Sequence, residues 1–212
     1  MKVITIIENV LQLNGLSIEI LKRLSYRSQL GKSLKQNLHY FDKRALMQEL
    51  SAMVKWLQMQ TVLEDISLDF RIKSIASIKQ KYERYYPNRQ IKQVFNDILG
   101  FRAFCDDYGQ LIYCDTSSVD LRIVDMSKGK AVDDGYRGVH VYYQKDNFHY
   151  PIEIQFNTIY DRQINNWLHD YLYKKDYPDK IGKNMRYLYE TGKIKSAKDF
   201  EEMLKDELLH NC

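Results

Sequence analysis

Tyr150-Pro151-Ile152-Glu153-Ile154-Gln155-Phe156-Asn157 is a run of branched and aromatic residues with one carboxylate set between two isoleucines. Such a run reads as a strand, and its apolar character on both sides of Glu153 places it centrally in a sheet. A buried carboxylate without a partner is expensive, so Glu153 needs either a cation from the protein or a metal ion. Working outward, Gly138 to Gln144, Val119 to Asp125 and Leu99 to Cys105 have the same character and are separated by polar turns. Gln144-Lys145-Asp146-Asn147-Phe148 reads as the hairpin connection between the last two strands.

On either side of these strands the apolar period lengthens. Residues 1–70 read as helical, with Leu46, Leu50, Met53, Val54 and Leu57 at three- and four-residue spacing. Gly15 and Gly31 are expected to end the first two helices. Met1 to Ile7 begins with a cation and an apolar stretch, but Glu8 and Asn9 interrupt it, so it reads as a helix and not as a signal peptide. A further helix is predicted from Ser74 to about Tyr86, stopped by Pro87-Asn88. Beyond Thr158 the helical period returns through Ile164, Trp167, Leu168 and Tyr171. A last amphipathic helix is predicted from Ser196 to Leu209, with Ser196 as its cap and Asp199 in its first turn. Helices, a mainly antiparallel sheet and again helices make an α+β fold with a helical N-terminal extension.

Composition narrows the class. The 212 residues suffice for one large domain, and 44% hydrophobic with 28% charged residues is ordinary for a globular protein. No window approaches the roughly 18 apolar residues of a membrane span. Cys105, Cys114 and Cys212 are odd in number and lack metal-ligand spacing, which suits free thiols in a reducing cytoplasm. The net charge of +4 is unevenly spread. Seven cations from Lys22 to Arg44 read equally well as a solvated helix face or a binding surface. Seven more from Arg71 to Lys92, opposed only by Glu83, favour a polyphosphate or nucleic-acid partner.

The residues able to do chemistry lie between these clusters and the strands. Arg71 and Lys73 precede a helix whose first turn holds Ser77, with Lys81 one turn on along the same face. Free backbone N–H groups there attract anions. Asp97 stands at the entry to an apolar strand and Arg102 projects from it. Asp97 and Glu153 together make a carboxylate pair of the kind that holds Mg²⁺ beside phosphate oxygens. Asp133-Asp134-Gly135-Tyr136-Arg137-Gly138-Val139-His140 is a turn that delivers a ring, a guanidinium and an imidazole side by side. The ring suits stacking on a base, and the cations suit phosphates. His39, His149, His169 and His210 show no metal spacing. No Gly-rich phosphate loop is present, which argues against P-loop and dinucleotide folds.

These motifs, in this order, resemble the synthetase domain of the RelA/SpoT family of alarmone synthetases. Arg71/Lys73/Ser77/Lys81, Asp97/Gly100/Arg102, Gly135 to His140 and Glu153 to Thr158 match its runs, and His169 with Tyr173-Lys174 matches its closing residues. The resemblance implies a nucleotidyltransferase-like mixed β-sheet flanked by helices. It divides the chain into an extension (1–69), a synthetase core (70–175) and a C-terminal helical tail (176–212) within one compact domain. The implied reaction moves the β,γ-pyrophosphate of ATP onto a ribose 3′-hydroxyl. Asp97 and Glu153 would hold Mg²⁺, with Glu153 assisting deprotonation of the acceptor. Arg71, Arg102, Lys73, Ser77 and Lys81 would hold ATP, and Tyr136, Arg137, His140, Gln155 and Asn157 the acceptor.

The departures point to a branch within the family. Gly138-Val139 stands where the family has Ser-Leu, and Asn157 where it has Arg, which weakens the case for a phosphate-bearing acceptor such as GDP or GTP. No hydrolase region precedes the core, as expected of a small synthetase. The toxic branch, which modifies the 3′-terminal adenosine of tRNA and is paired with a protein antitoxin, fits these features better. Lys32, Lys35 and Arg122 are then the candidates for holding the tRNA backbone. The alternatives are a synthetase acting on GDP or GTP and an inactive nucleotide- or RNA-binding module. Retention of both Asp97 and Glu153 argues against the last.

Overall fold

The computed structural model describes residues 6–114, 120–173, 175 and 177–211. The readings at Met1 to Thr5, Val119, Lys174 and Cys212 lie outside the described residues. The chain forms two compact units. The first comprises Met1–Ala103, Gly109–Ile123 and His140–Gln155, and the second Phe104–Tyr108, Val124–Val139 and Phe156–Cys212.

The first unit begins with helices α1 (Ile6–Leu13), α2 (Ile18–Arg23) and α3 (Lys43–Gln58). Side-chain caps set the starts of the last two: Ser17 accepts from the Ile20 N–H, and Asp42 accepts from the Ala45 N–H at 2.8 Å. Leu46, Leu50, Met53 and Leu57 of α3 are wholly buried, as their spacing predicts. Gly15 follows α1 with a φ of +75°, the left-handed conformation of a helix end. Gly31 differs from expectation: α2 has already closed at Arg23, and Gly31 takes its positive φ in a bend. Next come β1 (Asp69–Ile72), α4 (Ile75–Tyr85), α5 (Ile91–Val94), β2 (Leu99–Phe104) and α6 (Gly109–Ile112). Then follow β3 (Leu121–Asp125), β4 (Val139–Tyr143) and β5 (Ile152–Asn157).

The five strands form one sheet in the order β1-β2-β5-β4-β3, with β5 in the middle. β1 was not foreseen as a strand; it pairs antiparallel with β2, setting Arg71 opposite Gly100 and Asp69 opposite Arg102. β3 and β4 are also antiparallel, since Met126 and Gly138 exchange both backbone hydrogen bonds and the Gln144 N–H donates to the Asp120 carbonyl. β2 and β5 run in the same direction: Gly100 lies beside Glu153, and the Cys105 N–H donates to the Asn157 carbonyl. The sheet is therefore mixed, and the fold is α+β.

Strand alternation gives this sheet two unlike faces. Leu99, Phe101, Val141, Ile152 and Ile154 are wholly buried on one of them. Their alternates, Gly100, Arg102, His140, Tyr142, Glu153 and Gln155, line the other.

The second unit is built on α7 (Ile159–Tyr171), α8 (Asp179–Glu190) and α9 (Ala197–Asn211). Their apolar faces meet in a core that includes Ile164, Leu168, Ile181, Met185 and Phe200. α7 and α9 fall where the sequence places them. Ser196 caps α9 through the Asp199 N–H, and the Asp199 carboxylate accepts from Ser196 and Lys195 in return. α8 lies within the expected helical tail 176–212, where the sequence did not single it out as a helix of its own. Among the described residues, no helix is long and apolar enough to cross a membrane.

Candidate active site

An open cleft of about 370 Å³ lies on the polar side of the sheet, lined by Arg71, Lys73, Asp97, Gly100, Phe101, Arg102, Glu153 and Gln155. Six of these are residues the sequence singled out: Arg71, Lys73, Asp97, Arg102, Glu153 and Gln155. Strand geometry explains the convergence. Arg71 faces Gly100 across the β1–β2 pair, and a Cβ on Gly100 would stand 3.6 Å from Glu153 Oε2, so β2 presents only backbone between the guanidinium and the carboxylate. Arg102, one alternate further along, pairs with its cross-strand neighbour Asp69 at 3.2 Å.

Glu153 is 7% exposed and keeps its charge through three donors. Tyr142 donates its hydroxyl to Oε1 at 2.8 Å, His140 Nδ1 stands 3.1 Å from the same oxygen, and Gln155 Nε2 donates to Oε2 at 2.7 Å. Burial alone would raise the carboxyl pKa, but His140, Tyr142 and Gln155 together outweigh it and hold the group at about 2. The buried carboxylate thus has the protein partners its position demands. The Tyr142 hydroxyl is driven far up in turn, by burial and by the Glu153 charge.

Asp97 is held differently. Lys73 Nζ, just after β1, meets Oδ2 at 2.5 Å, and Lys81 Nζ, within α4, meets Oδ1 at 3.0 Å. Ser74 caps α4 by accepting from the Ser77 N–H, and its hydroxyl also donates to the Ser77 hydroxyl at 3.0 Å. Ser77 therefore sits in the first turn of α4, one turn before Lys81.

The remaining first-unit candidates lie outside this cleft. Arg122, exposed on β3, lays its guanidinium over the Tyr142 ring at 4.5 Å. Lys32 donates to the Tyr40 carbonyl at 2.6 Å and sits over the Phe41 ring. Lys35 and Arg122 both lie close enough to Lys92 to lower its pKa, although burial is the larger cause.

In the second unit, the turn 133–138 is held by its own side chains. Arg137 forms a two-pronged pair with Asp133 at 2.7 and 3.1 Å, which holds the Asp133 carboxyl below the usual range. Lys130 reaches Asp134 at 2.5 Å and lies over the Tyr136 ring at 5.0 Å. Asn157 and Asn165 both donate to the Arg137 carbonyl, at 2.8 and 2.7 Å. A Cβ on Gly138 would stand 2.6 Å from Asn157 Nδ2 and 2.7 Å from the Tyr136 hydroxyl, so the glycine and the asparagine fit one space.

Two organising residues escaped the sequence reading. Arg186 is 1% exposed and donates to the Gly135 carbonyl, Asp161 and Asn165 at 2.7, 2.6 and 2.9 Å. Its signal was its place on the buried stripe of α8, four residues after Gly182; the Gly182 carbonyl excludes a side chain on Gly135, and the Asp134 carbonyl excludes one on Gly182. Tyr142 was the other, legible only as the residue that shares a strand face with His140.

Cations and carboxylates gathered in an open cleft, with no serine or cysteine nucleophile among its lining, suit the positioning and charge neutralisation of phosphoryl-type transfer. Residues 70–177, just over half of the 212, match the sequence pattern described as the region found in RelA / SpoT proteins. The chain belongs to the RelA/SpoT family and is a pyrophosphokinase. No curated protein matches its sequence significantly. Among solved structures it is similar to small alarmone synthetase 1 from Bacillus subtilis bound to its product pppGpp, at 22% identity over 79% of this chain and 93% of that one, with a TM-score of 0.40. It is also similar to small alarmone synthetase 2 from Bacillus subtilis (21%, covering 79% and 98%, TM-score 0.43). A GTP pyrophosphokinase family protein from Streptococcus pneumoniae gives 24% identity, covering 77% and 90%, with a TM-score of 0.40.

Proposed function

We propose that this chain transfers the β,γ-pyrophosphate of ATP to the 3′-hydroxyl of the terminal adenosine of tRNA. The acceptor oxygen forms a bond to the β-phosphorus as the bond from that phosphorus to the α,β-bridging oxygen breaks; AMP leaves with that oxygen, and the hydroxyl proton passes to solvent. Arg71 and Arg102 flank the nucleotide, and Lys73, Ser77 and Lys81 take the triphosphate. Asp97 and Glu153 offer hard oxygen donors in one cleft, which fits Mg²⁺, an ion that commonly takes one or two carboxylates and completes its shell with phosphate and water. When bound, Mg²⁺ would neutralise charge on the polyphosphate. The lysines on Asp97 then have a second use: released from the carboxylate, both can turn to phosphate oxygens. A carboxylate held at about 2 is a poor proton acceptor, so Glu153 serves by its charge more than as a general base.

The observation that carries the acceptor assignment is the saturation of the turn 133–138. The Arg137 fork is committed to Asp133, and Asn157 stands where the family pattern has an arginine. A terminal adenosine brings no 5′-diphosphate that would require those cations, whereas GDP or GTP does. Tyr136 would stack on the adenine, with His140, Gln155, Asn157 and the Arg137 backbone positioning the ribose. Lys32, Lys35 and Arg122 would hold the tRNA backbone. Blocking the 3′ end prevents aminoacylation, so such an enzyme acts as a toxin that a protein antitoxin must restrain. The second reading, transfer to GDP or GTP, is favoured by the Gly135-Tyr136-Arg137 and His140 match to the family's acceptor loop.

The test is incubation with γ-³²P-ATP, Mg²⁺ and, separately, tRNA, GDP and GTP, with Glu153→Gln as control. Label on tRNA alone is the expected outcome. Label confined to guanine nucleotides overturns the tRNA assignment.

A further inference from the structure

On the sheet face, Arg122, Tyr142 and Glu153 form a line from solvent to the cleft. Arg122 is exposed, and its guanidinium covers the Tyr142 ring at 4.5 Å. Tyr142 is 9% exposed, and its hydroxyl donates to Glu153 Oε1 at 2.8 Å. His140 Nδ1 also reaches the Tyr142 hydroxyl, at 3.3 Å, so the tyrosine ties together both groups on that oxygen. A ring held by a cation on its face and by hydrogen bonds at its hydroxyl has little freedom to turn.

We infer that Tyr142 is a positioning residue for Glu153, and that Arg122 acts on pyrophosphate transfer through Tyr142 in addition to any contact with the acceptor. The Arg122 guanidinium lies over the ring at 4.5 Å and is exposed, so an acceptor backbone that engages it also bears on the aim of Glu153. The inference rests on the proposed role of Glu153 in transfer but not on which acceptor is used.

The experiment is a double-mutant cycle of Tyr142→Phe and Arg122→Gln, read as kcat and KM with the labelled acceptor. Calorimetric binding of a non-hydrolysable ATP analogue with and without Mg²⁺ is measured in parallel. Phe keeps the ring and its packing, so the variant should fold, which a thermal melt checks. Tyr142→Phe is expected to lower kcat by about 10- to 100-fold with KM for ATP little changed, and to weaken the Mg²⁺ enhancement of analogue binding. Arg122→Gln should lower kcat by about 5- to 10-fold alone and by less than about twofold in the Tyr142→Phe background, because the ring it steadies no longer reaches Glu153. Arg122→Lys, which keeps a cation over the ring, should lose less than Arg122→Gln.

An unchanged kcat in Tyr142→Phe sinks the inference. Additive effects, or an Arg122 effect confined to KM for the acceptor, would reduce Arg122 to a surface contact. If no acceptor is labelled at all, the proposed function fails. The analogue-binding arm still judges Tyr142 by whether its loss blunts the response to Mg²⁺.

Discussion

The cleft on the sheet and the turn 133–138 draw on the same residue types and use them in opposite ways. In the cleft, Arg71 and Arg102 line open space together with Asp97 and Glu153. At the turn, Arg137 spends its fork on Asp133, and Arg186 is consumed by Gly135, Asp161 and Asn165. An arginine therefore declares its task by what remains of its hydrogen-bonding capacity. Where partners saturate it, the residue builds the backbone shape; where open space remains, a ligand can finish the shell.

The sharpest way to break this contrast is to remove one charge from each side. Glu153→Gln should cut transfer by about 10³-fold, measured as label moved from γ-³²P-ATP. Arg186→Met should do the reverse in kind. It strands the buried Asp161 carboxylate and the Gly135 carbonyl and should cost about 3–5 kcal/mol in urea unfolding. A stability loss under about 1 kcal/mol would mean that Arg186 is not what holds the turn.

Gly135→Ala probes the same turn through backbone alone. Its φ is +88° and an added Cβ would collide with the Gly182 carbonyl, so a loss of about 2–4 kcal/mol is expected by the same measurement.

Acid distinguishes the two regions more gently. Glu153 is held at about 2 against an ordinary 4.5, so the fold favours its charged form. That contribution, on the order of 3 kcal/mol, is complete above about pH 4.5 and is lost as the pH falls toward 2. Urea unfolding at pH 5 and pH 3 should show a steeper decline in the wild type than in Glu153→Gln. At the small end, Lys22→Ala breaks only an exposed pair with Glu19, and the melting temperature should stay within about 1 °C.

Much of this contrast was legible in the sequence, for physical reasons. β5, β4 and β2 announce themselves by branched and aromatic runs, and Glu153 between two isoleucines marks the middle strand. α4, α7 and α9 carry their caps and their period. β1 escaped because Asp69-Phe70-Arg71-Ile72 is a four-residue edge strand, largely exposed, with no buried alternation to betray it. The bounds of α8 within the helical tail escaped because Gly182 and Arg186 interrupt its apolar stripe, and both are buried for close approach and hydrogen bonding, not for hydrophobicity. The cleft residues could be named because each sits in a recognisable local run. The commitment of Arg137 to Asp133, and the reach of Tyr142 to Glu153, depend on rotamers and register that composition does not encode.

The shared space at Gly138 and Asn157 has a historical consequence. A side chain at 138 would meet the amide of Asn157 and the Tyr136 hydroxyl, so position 138 can gain a side chain only if those neighbours give way. Whatever acceptor preference this corner encodes is inherited as a pair.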